Sequence, residues 1–86
     1  MNASVLLHFA ALQRHFVDGL PARWSAIALT AQGSVAQRAT LHRLAGAAGS
    51  FGYVALGDAA RVAECCSDPE MGVALSKLQH LLLNVN

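Results

Sequence analysis

Apolar residues at helical spacing, cut at short intervals by glycine and proline, leave this chain one kind of fold. Val5, Phe9, Leu12 and Phe16 recur at i, i+4, i+7 and i+11, the spacing of one face of an α-helix. No segment shows the alternation of period two that marks a half-buried strand. A first helix is therefore expected from about Ala3 to Val17. Asp18-Gly19-Leu20-Pro21 breaks or bends it, with Asp18 a candidate cap and Pro21 suited to a first helical turn. A second helix carries Trp24, Ile27, Ala28 and Ala31 to about Gln32. Gly33-Ser34 punctuates, and Ser34 is a candidate N-cap for a third helix projected over residues 35–51. Gly52 closes that helix, since glycine tolerates the left-handed conformation of a helix C-terminus. A fourth runs from about Val54 to Cys66 with Leu56, Ala59, Ala60 and Ala63 inward. Ser67-Asp68-Pro69 is a stop and restart, with Asp68 capping a last helix that carries Met71, Ala74, Leu75, Leu78, Leu81, Leu82 and Val85. Connections this short set neighbouring helices antiparallel. The expectation is all-α: an antiparallel four-helix bundle with a short extra helix or a bent first helix, in one domain spanning residues 1–86.

Composition agrees and removes several functions. Of the 86 residues 55% are hydrophobic, enough for a single core, though stability at this size should be modest. The abundance of alanine and leucine over aromatic residues favours closely packed helices. A formal net charge of +1 is no footprint for nucleic acid, which calls for a basic stripe. No apolar run approaches bilayer length, and the start lacks the pattern of a secretory leader; no membrane insertion and a cytoplasmic location are expected. Cys65-Cys66 fits a reducing compartment, because adjacent cysteines bridge only with strain and no third cysteine exists.

The chemistry centres on His42-Arg43-Leu44-Ala45-Gly46-Ala47-Ala48-Gly49-Ser50-Phe51-Gly52-Tyr53. At about 100° per residue, Leu41, Leu44, Ala48 and Phe51 fall on one arc, with Gln37 and Thr40 near it. His42 points almost directly away from that arc and shares its face with Val35, Arg38, Ala39, Ala45, Gly46 and Gly49. An imidazole standing on a platform of small residues can be approached closely by another protein. Gly46, Gly49 and Gly52 also admit a plainer explanation, a loop, since each glycine inside a helix costs about 1 kcal/mol relative to alanine. Their spacing matches neither the dinucleotide fingerprint nor a P-loop. His8 and His15, seven residues apart on one helical face, stand about 10.5 Å apart along the axis, too far to chelate one metal directly. His80 is isolated. Cys65 and Cys66 border the core, and no metal site is expected. Trp24 and Phe16 are expected in the core.

This stretch resembles the phosphoacceptor segment of histidine phosphotransfer (HPt) domains, in which a histidine is followed by a lysine, glycines, and Leu-Gly or Phe-Gly. His42, Leu44, Gly46, Gly49, Phe51 and Gly52 match that pattern. Val54-Ala55-Leu56 through Glu64 looks like the family's next helix, which ends near an acidic residue, and Phe16 to Arg23 like its connection into the second helix. One position departs: Ala45 stands where the family usually has lysine. The resemblance implies that His42 is the phosphoacceptor. Its Nε2 would be phosphorylated and its Nδ1 held by a hydrogen bond that orients the ring. The partners implied are response-regulator receiver domains and a hybrid sensor histidine kinase, met by a monomer. No cofactor is implied in this chain, the Mg²⁺ sitting on the receiver. The chain would be a phosphoryl carrier, not a kinase.

Residue chemistry is compatible with that role. An unperturbed imidazole has a pKa near 6.5, so its neutral form is available near pH 7 and attacks phosphorus as a nitrogen nucleophile. Arg38, one turn before His42, is the expected substitute for the missing lysine, and Arg43 is expected to meet the partner's rim. Two rivals remain: a bundle of the same type that has lost phosphotransfer and only binds a partner, which Ala45 favours, and a cofactor-binding bundle, which would need histidines facing each other across the core.

Overall fold

The computed structural model describes residues 3–85 of the chain. These form five helices, α1 (Ala3–Asp18), α2 (Leu20–Ala28), α3 (Val35–Ser50), α4 (Val54–Cys65) and α5 (Asp68–Leu83), with no strand among the described residues. Helices α2 to α5 make an up-down-up-down bundle. Its core is Leu20, Ile27, Leu41, Leu44, Ala45, Ala48, Leu56, Ala60, Ala63, Met71, Leu78 and Leu82, closed at one end by Phe16. The expected all-α bundle with a bent first helix is what forms.

The bend lies between α1 and α2. Gly19 keeps a right-handed helical conformation, and its N–H still bonds to the His15 carbonyl. Pro21 then has no N–H to offer the preceding turn, so the path bends without unwinding. Asp18 does not cap α2, contrary to expectation. It closes α1, and the cap position falls to Gly19, with no side-chain bond. Because α1 continues beyond the end of the bundle, the molecule extends 47 Å along one axis against 21 and 19 Å across. This also corrects the expected inward face of α1. Phe16 is buried, whereas Val5, Phe9 and Leu12 remain exposed, Phe9 only meeting the Phe51 ring at 6.1 Å.

The second helix ends four residues earlier than its spacing suggests, at Ala28. The Ile27 carbonyl, which a continuing helix would give to the Ala31 N–H, accepts instead from the Thr30 N–H, the Thr30 hydroxyl and Gln37 Nε2. Gln37 is the buried polar residue of the core, and both the nitrogen and the oxygen of its amide are bonded. Its Oε1 accepts from the Gly33 N–H at 2.8 Å, and its backbone N–H donates to Ser34 Oγ, the expected N-cap of α3. Gln37→Ala would strand the Gly33 N–H and weaken the α2–α3 corner. We expect a loss of about 1–3 kcal/mol, read as a lower urea midpoint at unchanged slope.

At the other end of α3, Gly52 has φ +84°. The Tyr53 N–H reaches the Ala48 carbonyl and the Gly52 N–H the Gly49 carbonyl, the paired bonds of a Schellman stop. Phe51 and Tyr53, either side of this glycine, both pack on Phe16, Phe51 tilted at 5.2 Å and Tyr53 stacked at 5.6 Å between ring centres. Asp68, expected to cap α5, is instead its first residue. Ser67 occupies the cap position without a side-chain bond, and Pro69 sits in the first turn.

Candidate functional site

His42 stands at the middle of α3 with its side chain 75% exposed. Helical phase turns it out of the core: Leu41 and Leu44 on either side of it are buried. Its Nδ1 lies 2.9 Å from Oε1 of Glu64, in the last turn of α4. A carboxylate only accepts, so in the neutral ring Nδ1 carries the hydrogen and Nε2 the free lone pair. The free lone pair is thereby placed on the nitrogen that Glu64 does not touch.

Along the same helix, Gly46 and Gly49 are regular α-helical residues without positive φ, and a Cβ built on either would meet nothing within 4 Å. The loop explanation therefore fails for these two and holds only for Gly52. The absence of side chains here relieves no crowding inside the protein. It leaves a shallow open face beside the imidazole.

Two residues placed on this face by helical projection are taken up by contact with α4. Ala45 is buried, 3% exposed, at the seam where α3 meets α4. The seam is tight because Gly57 of α4 brings the backbones together: a Cβ at Gly57 would stand 3.4 Å from the Ala45 carbonyl oxygen and 3.5 Å from the Gly49 nitrogen. A side chain longer than alanine at position 45 would have to run outward along the seam. Arg38 is also turned toward α4. Its Nε donates to the Gly33 carbonyl at 3.2 Å, its Nη1 to the carbonyls of Glu64 and Cys66 at 2.7 and 2.8 Å, and its Nη2 to Asp68 Oδ1 at 2.8 Å. Four of its N–H groups are thus committed to backbone and to Asp68, whereas the sequence reading has this guanidinium free beside His42. Arg43 is exposed, with one long contact, 3.3 Å, from Nη2 to Thr40 Oγ1.

Glu64 is the residue whose part the sequence did not assign. Its signal was present: it is the acidic residue in the last turn of the helix after the Gly52 stop. Its antiparallel return opposite His42, however, is a contact across 22 positions. The remaining candidates stay apart. His8, His15 and His80 are exposed on α1 and α5, and no group of three metal-ligating side chains occurs among the described residues. Cys65 and Cys66 are free thiols, Cys65 exposed and Cys66 half-buried with its Sγ 3.9 Å from Met71 Sδ. Trp24 packs half-buried against the core.

One oriented imidazole stands on a convex helix with open space beside it. No described helix is long and apolar enough to cross a membrane.

Comparison with known protein families finds a match to the family described as the Hpt domain, over residues 11–85. No curated protein matches the chain, and no solved structure does.

Proposed function

The chain belongs to the Hpt domain family, and from that premise we propose that it carries a phosphoryl group on His42 between receiver-domain aspartates of a two-component phosphorelay. Hpt domains are phosphocarriers rather than kinases, and their partners are receiver or kinase domains. The observation that carries the reading is the hydrogen bond between His42 Nδ1 and Glu64, which leaves Nε2 as the exposed nucleophile.

In the forward step the Nε2 lone pair forms a bond to phosphorus as the bond from phosphorus to the receiver's aspartyl oxygen breaks. The aspartate leaves as a carboxylate. No proton need leave the ring at this point. Nδ1 keeps its hydrogen, and the positive charge gained by the imidazole faces the Glu64 carboxylate. Onward transfer is the same step reversed, to a second receiver aspartate. Mg²⁺ and any cation beside the phosphoryl oxygens come from the receiver, consistent with alanine at position 45.

The direct test is incubation with a receiver domain phosphorylated by a small acyl phosphate. One phosphoryl group should move to the chain, labile to acid and stable to base as a phosphoramidate is. A chain that binds the receiver without accepting phosphate would instead be a binding module alone.

The open face at Gly46 supplies a second test. Gly46→Gln replaces a glycine with a good helix former in empty space and should stabilise the fold by about 0.5–1 kcal/mol. Phosphoryl transfer should nevertheless fall, because the new side chain occupies the ground on which a receiver settles. Thermal melts and transfer rates on the same variant read both effects. Unimpaired transfer would remove the platform from the site.

A further inference from the structure

We propose that Arg38 is a positioning residue for phosphoryl transfer: it fixes the last turn of α4 and thereby holds the Glu64 carboxylate on Nδ1 of His42. This rests on the phosphoacceptor reading of His42, and it gives Arg38 a different task from that of a counter-ion beside the phosphoryl group.

Residue 64 is held from α3 at two points. The Glu64 carbonyl accepts from Arg38 Nη1 at 2.7 Å, and the Glu64 carboxylate bonds to His42 at 2.9 Å. Arg38 and His42 are four residues apart on α3, so the two anchors lie one turn apart on one helix. The carbonyls in the last turn of a helix have no partners of their own within it. Arg38 supplies a donor to one of them, that of Glu64, and another to the carbonyl of Cys66 just past the helix, and places a positive charge where the helix dipole is negative.

The guanidinium is itself fixed from two further sides. Asp68 at the start of α5 pairs with Nη2 at 2.8 Å, and the Gly33 carbonyl accepts from Nε. Gly33 is suited to the place: its φ is +78°, and a Cβ there would stand 2.8 Å from Asp68 Oδ1. One planar group therefore joins the α2–α3 connection, the end of α4 and the start of α5. A lysine, with a single point of donation, cannot reproduce that fork. If Arg38 is removed, the end of α4 is released and the carboxylate that selects the tautomer of His42 goes with it.

The test joins transfer kinetics to the nitrogen-15 spectrum of the histidine ring in the full chain. In the wild type the His42 spectrum should show the tautomer with hydrogen on Nδ1. In Arg38→Gln it should move toward the tautomer mixture of a free imidazole, and transfer from a phosphorylated receiver should slow by about tenfold to a hundredfold. In a Glu64→Ala background, which leaves Nδ1 no side-chain acceptor at residue 64, the same change should cost nothing further, because Arg38 acts through Glu64. Arg38→Lys should recover only part of either readout. Should Arg38→Gln fail to fold, Asp68→Asn loosens one arm of the clamp and should shift both readouts in the same direction by less. A folded Arg38→Gln or Asp68→Asn protein with an unchanged ring spectrum overturns the proposal. So does a double variant in which the two losses multiply, which would mark Arg38 as acting directly on the phosphoryl group. A wild-type chain that takes up no phosphoryl group overturns the phosphoacceptor reading instead, and the ring spectrum still decides whether Arg38 sets the tautomer.

Discussion

His42→Gln is expected to leave the bundle intact and to abolish phosphoryl uptake. The side chain is three-quarters exposed and makes one bond, to Glu64. Glutamine is a good helix former of similar reach, so the change in stability should stay within about 0.5 kcal/mol. The amide, unlike the imidazole, has no basic nitrogen lone pair, and the loss should be total rather than graded. The other histidines serve as internal controls. His8, His15 and His80 are exposed like His42, but no described carboxylate bond orients them. Phosphate mapped to any of these, or persisting in the His42→Gln protein, would contradict the assignment. Circular dichroism and a receiver-transfer assay on the same preparation decide it.

The largest effect on stability is expected at Leu44. It is 1% exposed, on the face of α3 that looks into the centre of the bundle, two residues from His42. Leu44→Ala removes three buried carbons and leaves a cavity that closely packed helices cannot fully close. Such changes cost about 2–5 kcal/mol. A domain this small has a total stability of roughly 4–13 kcal/mol, so much of the margin disappears. The melting temperature should fall by more than about 10 °C, since each kcal/mol is worth roughly 4–8 °C at this size. The imidazole and its partner Glu64 are not themselves altered, so at low temperature the folded fraction should still accept phosphate. A drop in melting temperature of only a few degrees would show that the core closes over the missing group. The two variants divide the helix between its faces, one lost to chemistry and the other to packing.

The features read correctly from sequence are those decided within a turn or two of chain. Ser34 as the cap of α3 and Gly52 as its stop are local hydrogen-bond events with local signatures. The phase that buries Leu41, Leu44 and Ala48 while turning His42 outward follows from helical geometry alone. The misplaced details have distant causes. The end of α2 is set by Gln37, which takes the Ile27 carbonyl from ten residues away. Asp68 appears to be a helix cap by spacing, but its carboxylate is drawn to Arg38 across 30 positions. Ala45 and Arg38 project onto the face of His42 on an isolated helix. In the bundle that face borders α4, and the α4 backbone at Gly57 claims the space of one, while the carbonyls at the end of α4 claim the donors of the other. Glu64 is assigned its place by the same antiparallel return. A helical wheel has no second helix, and each of these five outcomes depends on one.

The backbone contact at Gly57 also bears on how fast a partner can be met. Most helix pairs are separated by a layer of side chains that can change rotamers and let one helix slip past the other. Where α3 passes Gly57, α4 carries no side chain, and a single added Cβ would already reach van der Waals distance of the Ala45 carbonyl oxygen and the Gly49 nitrogen. The surface bearing His42 is therefore expected to keep one shape before and after an encounter. Association then becomes a search over orientations with no conformational step to wait for, and rates should fall in the range of about 10⁵–10⁷ M⁻¹s⁻¹ common to preformed surfaces. In the proposed role, a carrier that must leave one receiver before it can reach the next would gain from this, and its turnover would be governed by how quickly each complex falls apart.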